Sequence, residues 1–244
     1  MRLTFLGSGG YHPNERRHTA CVLLPETGVL FDAGTGAFRV AERVETDELH
    51  LFLSHAHLDH IVGLTYFLVP LMTGRIRRVL LYGLPPCLEA VRTHLFSEPL
   101  FPVLPAFEFV PLPARVSLPG EAVLSHCPLN HPGGSVGFRI DWPDRSLAYI
   151  TDTVADGSYL EFIHGVDVLI HECYFPDDMA EWADKTGHSF TTAVAHLAAD
   201  AGVGRLVLMH IDPQRPDDDP IGLATARGIF PATDLAEDQM EIEF

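Results

Sequence analysis

Short apolar runs rich in Val, Ile, Leu and Phe recur along the chain at residues 29–31, 49–53, 147–150, 166–170 and 206–209. Runs of this length between polar turns read as buried strands, and they alternate with stretches of helical period at 61–72, 86–96, 191–201 and 221–228. Residues 122–141, with Gly133 and Gly134 in the middle, read as two paired strands. The opening MRLTFLGSGG reads as a strand running into a glycine turn rather than a signal peptide. The pattern is mixed α/β, without repeats or low-complexity tracts. With 244 residues, 47% of them hydrophobic, a single domain over 1–244 is the expectation.

The residues at the ends of these runs carry the chemistry. VLFDAG delivers Asp32, LAYITD delivers Asp152, DVLIHE delivers His171 and Glu172, and LVLMH delivers His210. Loops are polar in any protein, but polarity alone supplies Ser, Asn or Lys as often as His and Asp. In α/β sheets the carboxyl edge of the strands is where ligands bind.

The densest cluster is SHAHLDH, residues 54–60. Imidazole and carboxylate are common ligands for divalent ions, and in a loop His55 and His57 can turn to one ion while Asp59 and His60 face another. Adding His131 from LNHPGG, Asp152 and His210 makes a set sufficient for two divalent ions. The simplest division gives His55, His57 and His131 to one, Asp59, His60 and His210 to the other, and Asp152 to both as a bridge. Two ions roughly 3.5–4 Å apart can share a hydroxide aimed at a scissile bond, so the implied chemistry is hydrolysis. Zinc suits this donor set best and manganese next.

Charge narrows the substrate. A net charge of −17, from 16 Lys and Arg against 33 Asp and Glu, argues against an extended nucleic-acid surface, because such binding rests on phosphate neutralisation by cations. Small anions are not excluded, since bound ions supply local positive charge. No apolar run reaches the roughly 20 residues that span a bilayer, and the four cysteines, Cys21, Cys87, Cys127 and Cys173, form no CxxC. Idle thiols in the cytoplasm and no membrane partner are therefore expected.

The H-x-H-x-D-H motif followed by a distant His, Asp and His at strand ends resembles the metallo-β-lactamase superfamily, from the FLGSGG opening to His210. The resemblance implies a four-layer αββα sandwich, with Asp32 orienting the metal loop rather than binding an ion. Asp152 stands where true β-lactamases carry cysteine, which argues against antibiotic hydrolysis. Within the superfamily, LIHECYF at 169–175 and TGHS at 186–189 are most similar to the ribonuclease Z-like phosphodiesterases. That likeness implies that His188 contacts substrate phosphate and helps protonate the leaving oxygen, that Glu172 lies beside it, and that the protein forms a homodimer. Asp59, His188 and Glu172 are thus the catalytic candidates.

Transfer-RNA-processing ribonuclease Z carries a long basic arm between the ligands matching His131 and Asp152. Here that interval reads as a strand, a short turn at 141–145 and another strand. The expected substrate is accordingly a small phosphodiester, a cyclic nucleotide or cyclic ribose phosphate. An RNA 3′-processing endonuclease and a metal-binding pathway protein without hydrolytic activity are the alternatives. Of the other histidines, His12, His18, His50, His94, His126, His164 and His196 read as surface or supporting residues, and His171 as a neighbour of the ligands at most. Residues 95–109, proline-rich and apolar, read equally as a loop packed on the core and as a lid or dimer contact.

Overall fold

The computed structural model describes residues 1–215 and 217–244. They fall into two compact units, Met1–Pro113 with Asp238–Glu243, and Ala114–Glu237 with Phe244.

The first unit is built on β1 (Arg2–Gly7), β2 (Cys21–Leu24), β3 (Val29–Phe31), β4 (Glu48–Phe52), β5 (Arg78–Gly83) and β6 (Phe107–Pro111). The first three strands pair antiparallel, whereas β3 to β6 run parallel. Strands β2 and β3 are buried on both faces, which is why they read as continuous apolar runs, whereas β4 alternates, with Leu49 and Leu51 buried and Glu48 and His50 partly buried. Leu23, Leu30, Leu51 and Leu81 of this sheet pack with Val40, Ile61, Leu64, Phe67 and Leu88 of the helical segments into one core cluster.

The second unit repeats the plan with β7 (Arg115–Leu118), β8 (Ala122–Leu129), β9 (Ser135–Asp141), β10 (Ser146–Ile150), β11 (Val168–Glu172), β12 (Arg205–Met209) and β13 (Thr233–Leu235). Strands β7 to β10 are antiparallel neighbours, and β10 to β13 are parallel. Its core joins Ala148, Ile150, Leu169, Leu206 and Leu208 to Val194, Ala195 and Ala198 of the helix Thr191–Asp200. The last strand, β14 (Glu241–Glu243), belongs to the first unit, where it pairs antiparallel with β1.

Three expectations shift in detail. The run at 166–170 forms its strand two residues later, because pairing continues to His171 against β10 and to Glu172 against β12, so both residues lie within β11 rather than beyond it. The helix expected over 61–72 is divided into Leu58–Ile61, a tighter 3-10 stretch Val62–Phe67, and Leu68–Met72. Gly63 explains the tight stretch: its N–H donates to the Ala33 carbonyl, and a Cβ there would stand 2.1 Å from the Gly34 oxygen. The helix expected over 86–96 starts as Pro85–Ala90 and ends in a wider π turn, Val91–Leu95. Residues 95–109 divide by side chain: Phe96 and Phe107 enter the core cluster, while Leu100 is 74% and Val103 51% exposed.

Candidate metal centre

In the first unit the donors follow β4. The parallel ladder ends at Phe52, and the chain turns through Ser54–His57 into the one-turn helix Leu58–Ile61. The rings of His55, His57 and His60 converge there, with centroids 4.5 Å apart for His55 and His57 and 4.3 Å for His55 and His60. Asp59 Oδ2 lies 3.4 Å from His60 Nε2 and accepts the Tyr11 N–H at 2.8 Å.

Asp32 holds this loop from beneath. It is fully buried and accepts hydrogen bonds from the Ser54 N–H at 2.8 Å and from the Ser54 hydroxyl. It also accepts from His60 Nδ1 at 2.9 Å, which leaves Nε2 as the metal-facing nitrogen. The Asp32 backbone sits in the left-handed region at φ 54°, as does His210 at 59°, an unusual conformation that recurs at functional sites. Asp32→Ala would leave the Ser54 and His60 donors buried without their acceptor. It should cost about 3–5 kcal/mol in urea unfolding. It should also weaken metal binding roughly 10–100-fold in chelator competition. An unchanged metal affinity would remove Asp32 from the site.

In the second unit His131 follows β8, Asp152 follows β10 and His210 follows β12. His131 Nδ1 donates to the Gly187 carbonyl at 2.8 Å, which turns its Nε2 toward Asp152 Oδ2, 3.7 Å away. Gly187 closes the helix Ala180–Thr186 at φ 77°, and a Cβ there would meet Pro132 Cδ at 2.3 Å. The other oxygen of the same carboxylate, Asp152 Oδ1, lies 3.2 Å from His210 Nε2. His188 Nδ1 is 3.0 Å from Glu172 Oε1, and a ligand atom of His188 lies within 4.8 Å of those of Asp152 and His210. Glu172 is fully buried, and its remaining capacity is filled by the N–H groups of Thr153 at 2.9 Å and Tyr174 at 3.1 Å.

Within each unit the donor set fits metal binding. Two atoms each about 2.1 Å from one tetrahedral ion stand about 3.4 Å apart. The pairs Asp59–His60, Asp152–His210 and Asp152–His131, at 3.4, 3.2 and 3.7 Å, all match that separation. Asp152 also aims its two oxygens at different histidines, an arrangement open to a bridging carboxylate.

His171 is not part of this arrangement. It is fully buried, with Nε2 2.7 Å from the Tyr159 hydroxyl and Nδ1 donating to the Glu172 carbonyl, and burial lowers its pKa. His196 is exposed on its helix. His18 and His50 bond at Thr35 and beside Glu48, and burial lowers the pKa of each. The cysteines are free, and burial pushes the Cys87 and Cys127 thiols up to about 12, which makes them poor ligands. Three contributors escaped the sequence reading: Ser54, Gly187 and Tyr174. The last lies past the end of β11, where its backbone N–H donates to Glu172 Oε2 at 3.1 Å.

An α/β fold that sets histidines and aspartates in metal-binding array at its strand ends defines a metal-dependent hydrolase. The chain belongs to the beta-lactamase superfamily, whose domain model matches residues 27–211. A ribonuclease Z of Methanosarcina acetivorans is 31% identical over 306 aligned positions, which take in 100% of this chain and 98% of the relative. Among solved structures, the metallo-beta-lactamase fold protein YhfI of Bacillus subtilis has TM-score 0.83 at 20% identity, covering 100% of this chain and 98% of that one. A diphosphatase of the PhnP family has TM-score 0.74 at 24% identity, covering 100% and 97%. The fold class is therefore the α/β metallo-β-lactamase fold, as the motif implies. No helix among the described residues is long and apolar enough to cross a membrane.

Proposed function

We propose that residues 1–244 act as one hydrolase domain that cleaves a small phosphodiester, of the cyclic nucleotide or cyclic ribose phosphate class, with two divalent ions, zinc or manganese. In this reading His55, His57 and His131 serve one ion, Asp59, His60 and His210 the other, and Asp152 both. The ions would supply Lewis acidity toward the phosphoryl oxygens and an activated water. The protein's own part is positional: Asp32 and the Gly187 carbonyl set the tautomers of His60 and His131, and Glu172 holds His188 with Nδ1 as donor. His188 then presents its other nitrogen, and when water adds to phosphorus and the P–O bond breaks, its proton passes to the leaving oxygen. The resemblance to ribonuclease Z-like enzymes also supports a homodimer, and the cysteine usage a cytoplasmic location.

The observation that carries the choice of substrate is the interval between His131 and Asp152. It closes as β9, a tight turn in which the Trp142 N–H donates to the Arg145 carbonyl at 2.8 Å, and β10, where an arm could otherwise emerge. The alignment with the Methanosarcina enzyme also extends over 306 positions, 62 more than this chain's 244 residues. Identity of 31% across the whole chain to a protein named ribonuclease Z favours a second reading, RNA 3′-processing. Fold does not choose between them.

A panel of cyclic mono- and dinucleotides, a chromogenic phosphodiester and a precursor tRNA, with added zinc or manganese, separates the two. Efficient turnover of a small diester is expected, with weak salt dependence because few cations are available to release counterions. Efficient tRNA cleavage with a steep salt dependence would establish the second reading instead. Silence on every substrate by the metal-loaded protein would favour a binding role without hydrolysis.

A further inference from the structure

Glu172 holds one nitrogen of His188, with Nδ1 3.0 Å from Oε1. Aromatic rings pack around the imidazole and set its plane. Tyr174 lies nearly parallel to the imidazole, with centroids 4.8 Å apart and planes 23° apart, and His210 lies at 5.6 Å with the same tilt. Phe175 and His131 close the edges at 6.4 and 5.1 Å. Of these neighbours, Tyr174 makes the closest ring contact.

The same carboxylate sets both partners of the stack. Glu172 Oε1 accepts from His188, and Oε2 accepts from the backbone N–H of Tyr174 at 3.1 Å. Glu172 is fully buried in β11, so it is a rigid anchor, and Tyr174, two residues on and half-buried, carries its ring back over the imidazole.

We propose that Tyr174 is a positioning residue for the reaction, its ring holding the His188 imidazole in the plane from which it reaches the leaving oxygen. This rests on the leaving-group role given to His188 above. Displacement of a reacting group by about 1 Å can cost on the order of 10²-fold, so losing one wall of the cage should be visible in kcat.

The test is a mutant cycle read on two substrates, an alkyl phosphodiester and a p-nitrophenyl phosphodiester, with metal content measured for every variant. Tyr174→Ala should keep its ions and lose roughly 10–100-fold in kcat on the alkyl ester, with little change in KM and a much smaller loss on the p-nitrophenyl ester. Tyr174→Phe, which keeps the ring, should recover most of that loss. In a His188→Ala background, Tyr174→Ala should cost less than about twofold, because residues that act through one another are not additive. The same loss in both backgrounds would overturn the proposal, as would equal losses on both substrates where His188→Ala discriminates between them. If His188→Ala itself loses equally on both, the acid role fails. The cycle still decides Tyr174: a loss absorbed by His188→Ala supports positioning, and a loss that persists refutes it.

Discussion

His188→Ala should retain the metal content and fold of the parent yet lose roughly 10²–10⁴ in kcat on a substrate with a poor alkoxide leaving group. Breaking a phosphodiester releases an alkoxide unless a proton arrives, and the other acidic groups are committed. Asp59 accepts from Tyr11 and faces His60, while Asp152 divides its oxygens between His131 and His210. Glu172 is buried and accepts from three donors, His188 among them. Imidazole is suited to proton transfer near neutral pH, and on the proposed reading His188, with Nδ1 3.0 Å from Glu172, delivers the proton. On a p-nitrophenyl ester, whose leaving group scarcely needs protonation, the loss should be much smaller. Equal losses on both would leave His188 a phosphate-binding or structural residue.

Asp152→Ala should be the most damaging change to metal content. Its carboxylate stands 3.2 Å from one histidine and 3.7 Å from another, and Thr151 donates to Oδ1 at 2.8 Å, fixing the orientation. If that carboxylate bridges, its removal takes a ligand from both ions. Elemental analysis should then show stoichiometry falling from two ions toward none, and activity should drop by at least on the order of 10²–10³. His131→Ala, by contrast, should weaken chiefly one ion. A wild-type stoichiometry of one, unchanged by Asp152→Ala, would end the dinuclear reading.

Much of the scaffold is legible in residue order because its signals are local. The run at 29–31 is β3 to the residue, and the double glycine at 133–134, both with positive φ, turns β8 into β9. The ligand types are legible for the same reason: a strand that ends in Asp or His brings it to the edge of a sheet whatever the strand's neighbours are. Strands such as β7, RVSL, and β13, TDL, are as short as β3 but mix polar with apolar residues, so no apolar run marks them. Their existence depends on partners far away in sequence, as β13 depends on β12.

Residue order alone determined the candidate donors, His55, His57, Asp59, His60, His131, Asp152 and His210, and the short His131–Asp152 interval, since both are matters of identity and spacing. The folded chain decided which atoms face which. That Asp152 splits its oxygens, that His131 is steered by a carbonyl 56 residues away, and that Tyr174 stacks on His188 depend on contacts between segments. Only tertiary structure also showed that His171, adjacent to Glu172, turns instead to Tyr159. Strand periodicity gives a side chain its face, but hydrogen-bond partners and ring stacking are chosen in three dimensions, where buried polar groups must find acceptors and buried rings must fill space.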